Sequence, residues 1–233
     1  MKLFTDRVNM KDFADRIDPE LLKKSQEYRV LGTLQFIFTE KFDKLSVSEA
    51  PDLQNANGDI GVEVTTAVSE NDMKASSAFC FYQKAVDEKS KKRAERKIFE
   101  TSSKIVLYEN GITAMRSSGG MNEECEYKES IIKKIKKSNN YKRIVKHLYL
   151  AVVLPEIPSR EAESNYPRWT RDIIRNSEFE EVYVISERFC IRIDLLRGEN
   201  SVFKISDDQN LAIRKIARMT AEGELDFSSE EWN

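Results

Sequence analysis

The residues most able to do chemistry are two carboxylates, Asp52 and Glu63. They lie on either side of a turn made by Asn55-Ala56-Asn57-Gly58. Asn and Gly tolerate positive φ, so the chain reverses there. Asp52 then sits on the outgoing arm of a hairpin and Glu63 on the returning strand. Cross-strand pairing brings such residues within a few ångströms on one face. Two carboxylates that close repel, and at neutral pH they need a proton, a basic group or a metal ion between them. An all-oxygen site of this kind suits Mg²⁺ or Mn²⁺. A metal held there could polarise a phosphoryl oxygen. Glu63 is hard to read as a surface acid. It stands in Ile60-Gly61-Val62-Glu63-Val64-Thr65, where β-branched neighbours point to a buried strand and glutamate is a poor strand former.

Other chemistries are excluded by composition. The chain has 233 residues, one histidine, three cysteines and eight glycines. One histidine rules out His-rich zinc sites and histidine–metal nuclease motifs. No GxxxxGK[ST] or GxGxxG is present, so the familiar phosphate-cradling loops are missing. Cys80, Cys125 and Cys190 have neither disulfide nor metal-ligand spacing, and Cys80 and Cys190 stand in apolar runs. Free thiols suit a reducing compartment. The first apolar run, Leu31 to Phe38, is too short to span a membrane, and no signal peptide is evident. The expectation is a soluble, cytoplasmic protein. His147 opens an apolar strand without a GxSxG partner and reads as structural. Among the aromatics, Trp169 follows Tyr166-Pro167-Arg168 in what reads as a polar loop, so it is the one to consider for stacking on bases.

Net charge is −2, yet its distribution is uneven. Residues 1–83 are net −4, residues 84–146 net +8, and residues 147–233 net −6. The basic block includes Lys91, Lys92, Arg93, Lys133, Lys134, Lys136, Lys137 and Lys142. It reads either as solvated helix faces or as a surface that contacts nucleic-acid phosphates.

The elements that must position the carboxylates follow from pattern. Asp18-Pro19-Glu20 starts a helix that should run to about Phe42. A short strand at 45–49 precedes the turn, and Asp59 to Val68 is a strand of period 2, with Gly61, Glu63, Thr65 and Ala67 on one face. A long helix should cover about 72–97, a short strand 105–108, a basic helix 126–139 with Ile131, Ile132 and Ile135 inward, and a doubly buried strand 147–154. A helix at about 168–176, strands at 182–186 and 190–195 and a helix at 208–221 complete an α/β chain with a mixed central sheet. The length fits a single domain over 1–233, with an insertion at about 100–146 and an acidic tail at about 222–233.

Pro51-Asp52, Glu63-x-Thr65, the long first helix and the following helix arrive in one order. In this the chain resembles the PD-(D/E)XK, or restriction-endonuclease-like, nuclease superfamily, over about residues 19–98 plus the buried strand near 148–154. The resemblance implies an αβββαβ core with helices flanking a mixed sheet. It implies Asp52 and Glu63 as ligands of Mg²⁺ (or Mn²⁺), and phosphodiester hydrolysis as the reaction. DNA is the favoured substrate over RNA, possible contexts being defence or mobile elements. Glu40, near the end of the first helix, and Glu49, three residues before Asp52, are further candidates to support the metal. The chain departs from the family at Thr65, which stands where a lysine should orient the attacking water. Threonine carries no positive charge. From Glu63 to Val68 is roughly 17 Å of strand, and a helix retraces that distance in roughly 11 residues. A helix starting near Asp72 is then level with Glu63 around Gln83 and Lys84, which nominates Lys84 as a migrated lysine, Gln83 as its support and Lys74 as the fallback. Cutting both strands of a duplex calls for two active sites, so a homodimer is the assembly to look for. The competing readings are a catalytically degenerate nucleic-acid-binding module on the same fold and a protein-interaction factor.

Overall fold

The computed structural model describes residues 19–68, 70–101, 104–108, 111–116, 123–138, 145–155, 157–174 and 177–226. Helix α1 spans Pro19–Ile37 and α2 spans Thr39–Phe42. Strands β1 (Leu45–Val47), β2 (Leu53–Asn55) and β3 (Ile60–Thr66) follow. Then come α3 (Glu70–Lys84), α4 (Glu88–Thr101), β4 (Lys104–Tyr108), β5 (Gly111–Arg116) and α5 (Glu123–Ser138). The chain continues through β6 (His147–Val153), α6 (Arg160–Ile174), β7 (Glu181–Ile185), β8 (Phe189–Asp194), β9 (Asn200–Lys204) and α7 (Asp207–Ala221). It divides into two compact units: one of residues 1–22 and 71–117, and one of residues 23–70 and 118–233. The expected insertion at 100–146 overlaps the first unit only as far as residue 117. Helix α5 belongs to the second.

The larger unit is built on a seven-stranded mixed sheet in the order β1-β2-β3-β6-β7-β8-β9. Strands β1, β2 and β3 form an antiparallel meander. Strands β3, β6 and β7 run parallel, and β8 and β9 return antiparallel. The protein is thus an α/β chain whose mixed sheet is flanked by helices. The near-continuous apolar sequence of β6 is explained by its place at the centre, covered on both faces.

Register assigns every side chain to a face. Glu63 is level with Leu150 and Val182, whereas Tyr149 is level with Glu181. The Leu150 face packs against Tyr127 and Ile131 of α5 and Tyr166 and Trp169 of α6. The Tyr149 face packs against Val30, Leu31 and Leu34 of α1. Gly61 of β3, paired with Gln54 of β2, is required by close approach: a Cβ there would lie 2.5 Å from Pro51 Cγ.

Several elements depart from expectation for tertiary reasons. The first helix breaks at Phe38 (φ −128°, ψ 50°). Its ring packs edge-on against Tyr183 at 5.2 Å and Phe203 at 4.8 Å, and that packing overrides helical continuation. The helix expected over 72–97 is two helices, because Asp87 caps α4 by accepting the Ser90 N–H at 2.8 Å. Helix α6 begins eight residues before its expected start at Arg168 and contains Pro167. Its buried stripe of Ala162, Tyr166, Thr170 and Ile174 outweighs the lost proline N–H. Trp169 is therefore not in a polar loop; it is buried in the core, against Tyr166. Cys190 is buried and Cys80 half-buried. Among the described residues no helix is long and apolar enough to cross a membrane. The acidic tail lies outside the described residues beyond Asp226.

Candidate active site

Asp52 and Glu63 do come together, and a lysine lies between them. Asp52 immediately precedes β2, and its Oδ2 accepts the Val64 backbone N–H at 2.8 Å. That bond ties Asp52 across the start of the hairpin to the strand carrying Glu63. Both carboxylates are buried, with Glu63 only 2% exposed. Lys134 of α5 donates from Nζ to Asp52 Oδ2 at 3.2 Å and also to Glu63 Oε2. Among the described residues, nothing donates to Asp52 Oδ1 or Glu63 Oε1. Two negative charges are matched by one positive charge, so the cluster retains a net charge of about −1 in a largely water-excluded place.

Lys134 brings to the two carboxylates a positive charge that residue 65 does not carry. Thr65 projects from the same face of β3 as Glu63, since these residues are level with Val152 and Leu150 of β6. Helix α5 covers that face. Its inward stripe is Tyr127, Ile131, Lys134 and Ser138, spaced i, i+4, i+7 and i+11. Lys134 stands on that stripe, while Ile132, expected to face inward, is 39% exposed. The ammonium thus reaches the carboxylates from the packed helix rather than from the strand.

A further buried carboxylate stands on α1, close enough to feel these charges. Glu27 is buried and pairs with Lys23 at 3.3 Å. Burial raises its pKa above the ordinary carboxylate value. The Lys23 ammonium opposes the rise, Asp52 adds to it and Lys134 lowers it. Glu27 therefore senses the charges of the Asp52–Lys134 pair. Lys23 in turn is raised, first by Glu27 and to a lesser degree by Asp52 and Glu63.

The other nominated residues are placed differently. Glu40 is exposed on α2, next to Lys41, which turns to the opposite face of the sheet. Glu49 is exposed. Neither makes a hydrogen bond or ion pair with Asp52 or Glu63 among the described residues. Gln83 and Lys84 are exposed at the end of α3 in the smaller unit. Of the basic candidates, Lys92 and Arg93 are exposed and Lys91 half-buried on α4. Lys133, Lys136 and Lys137 are exposed on α5, and Lys142 lies outside the described residues. His147 is exposed and its Nδ1 pairs with Glu180 at 2.9 Å. Sequence reasoning placed Lys134 in the basic block as a phosphate contact rather than beside the carboxylates, and did not nominate Glu27. A lysine at i+7 from Tyr127 and i+3 from Ile131 was the available signal for the first.

The donor set fits a divalent cation with oxygen preference. Among the described residues no three acidic, histidine or cysteine side chains converge closely enough to enclose a metal. Mg²⁺ does not require that, because it is commonly held by one or two carboxylates and keeps several waters. Asp52 and Glu63, with uncommitted oxygens and residual negative charge, meet that description. Compared with family models, curated proteins and solved structures, the chain matches none of them significantly.

Proposed function

We propose that the protein is a metal-dependent nuclease of restriction-endonuclease-like architecture that hydrolyses phosphodiester bonds, with DNA the favoured substrate. The observation that carries this reading is the lysine bridging Asp52 and Glu63. Pro51-Asp52 at the second strand, Glu63 on the third and a lysine beside them are the set that the PD-(D/E)XK resemblance implies, with the lysine moved to α5.

In this reading Asp52 and Glu63 would hold Mg²⁺ or Mn²⁺. When bound, the metal supplies Lewis-acid stabilisation of the charge that develops on the phosphoryl group. Lys134 supplies a fixed positive charge at the carboxylate pair and, beyond the N–H groups given to Asp52 and Glu63, one further N–H that could orient a nucleophilic water or neutralise a phosphate oxygen. Glu27, buried on α1 and paired with Lys23, adds a further negative charge that the Asp52–Lys134 pair feels. Exposed Lys133, Lys136 and Lys137 on the same helix as Lys134 add sequence-independent phosphate attraction.

The test is a cleavage assay with the full chain on plasmid, linear duplex, single-stranded DNA and RNA, each with Mg²⁺, Mn²⁺ or EDTA. Wild type should cleave only with metal, and Glu63→Gln should not cleave at all. Binding without cleavage on every substrate would replace this reading with a catalytically degenerate binding module.

A further inference from the structure

The smaller unit holds a cleft that the proposed active site does not use. Helices α3 and α4 are joined by a short break at residues 85–87 and face one another across a space of about 680 Å³. The cleft exists because its floor is made of small side chains: Ala78 and Ala94 are 7% and 1% exposed. Among the described residues its lining carries Arg93 and Lys97 against one carboxylate, Glu100. Arg93 and Lys97 are one helical turn apart, so their side chains project to the same side of α4. Phe81 also lines the cleft and is 53% exposed, a large aromatic left in water where the apolar floor could have covered it.

We propose that this cleft binds single-stranded nucleic acid, with Phe81 as the stacking face for a base and Arg93 and Lys97 as phosphate contacts. The inference rests on the nucleic-acid reading above for the class of partner, and it adds strandedness. The excess of cations selects a polyanion. The exposed ring selects among polyanions. An acidic peptide has carboxylates for Arg93 and Lys97 but offers a flat π-face only at an aromatic residue, whereas every nucleobase offers one. A duplex keeps its bases stacked inside, so only an unstacked strand can meet an aromatic ring and two cations in a cleft of this size.

The experiment uses the full-length Glu63→Gln chain in EDTA, so that cleavage plays no part. Fluorescence anisotropy reads its binding to a labelled single-stranded oligonucleotide, to the matching duplex and to an oligoglutamate peptide. The single strand should bind most tightly. Adding Phe81→Ala should weaken that binding about tenfold, and Phe81→Trp should restore it. Arg93→Ala with Lys97→Ala should reduce the slope of log affinity against log salt by about 1.4, the value for two single-strand phosphate contacts. A merely structural role would leave that slope unchanged. Duplex or oligoglutamate binding as tightly as the single strand would overturn the proposal. So would Phe81→Ala within twofold of its parent, or an unchanged salt slope. Failure here leaves metal-dependent cleavage by wild type intact. Failure of wild type to cleave, with the Phe81 and salt effects present, removes hydrolysis and leaves the cleft.

Discussion

The same sheet carries two buried charged clusters, one on each face, and they are built differently. On the Tyr149 face, Glu181 Oε1 accepts from Arg192 at 2.6 Å. Its Oε2 accepts from Lys41 at 2.7 Å and from the Tyr183 hydroxyl. Asp194 Oδ2 takes a second bond from Arg192 at 3.3 Å, while Oδ1 accepts the N–H groups of Leu196 and Arg197. The Lys41 ammonium lies 3.9 Å from the centre of the Tyr149 ring. Two carboxylates meet two cations and every carboxylate oxygen is engaged. Burial alone would raise the pKa of Glu181, but hydrogen bonds from Arg192, Lys41 and Tyr183 bring it down to about 2. Burial lowers Lys41 despite its acidic partner, and burial with the Glu181 charge raises Tyr183. On the other face, Asp52 and Glu63 share only Lys134 and keep one oxygen each uncommitted among the described residues. Burial and charge are common to both clusters. The difference is balance: in the first every carboxylate oxygen is matched by a donor, and the second is short of one positive charge. A buried charge deficit is tolerated where a ligand supplies the missing cation.

Substitutions can break that contrast, and the largest effect belongs to catalysis. Lys134→Met should reduce metal-dependent cleavage by about 10³-fold, whereas Lys41→Met should leave cleavage per folded molecule unchanged. Single-turnover rates on one substrate decide this, and equal losses would erase the distinction.

Stability should show the reverse order. Glu181→Ala strands Lys41 and Arg192 and should cost about 3–5 kcal/mol in urea unfolding. Glu63→Gln leaves Lys134 paired with Asp52 and removes a repulsion, so it should cost less than about 1 kcal/mol in EDTA.

The Tyr149-face network should also carry an acid limb. Glu181 has a folded pKa depressed from 4.5 to about 2. Its stabilising contribution is therefore complete above the unfolded value and is lost as pH falls toward the folded one. Wild type minus Glu181→Gln should show a stability difference that shrinks between about pH 5 and pH 2. A difference that grows with acid would contradict the network.

The smallest effect concerns Gly61. Gly61→Ala sets a methyl against Pro51, next to Asp52, and should cost about 1–3 kcal/mol with a parallel loss of cleavage. Gly198→Ala, at φ +72° with open space around it, should cost about 1 kcal/mol and leave cleavage alone.

Much of this was legible from residues. The period-2 alternation of 60–66 placed Glu63 on the face opposite Val62, and the Asn55–Gly58 turn placed Asp52 beside it. The doubly apolar run 147–153 announced the central strand. Local pattern failed where tertiary packing decided. Pro167 hid the first half of α6, the Phe38 aromatic contacts broke the first helix, and the polar edge strand β9 carried no alternation to detect. Retracing β3 by a helix led to Lys84, because strand length and helical rise say nothing about which helix covers the face of Glu63. Lys134 was visible in the sequence as a lysine on an apolar stripe. Counting Ile132 as inward rotated that stripe away from it.

The most direct test of the charge-deficit claim is a thermal shift in Mn²⁺. Melting temperatures of wild type, Glu63→Gln and Glu181→Gln would be measured from EDTA to millimolar metal. Wild type should rise by roughly 5–10 °C at a hundred times Kd. Glu181→Gln should rise by the same amount from a lower starting point, and Glu63→Gln should not rise. An undiminished shift in Glu63→Gln, or a shift lost in Glu181→Gln instead, would place the cation away from Asp52 and Glu63 and contradict the assignment.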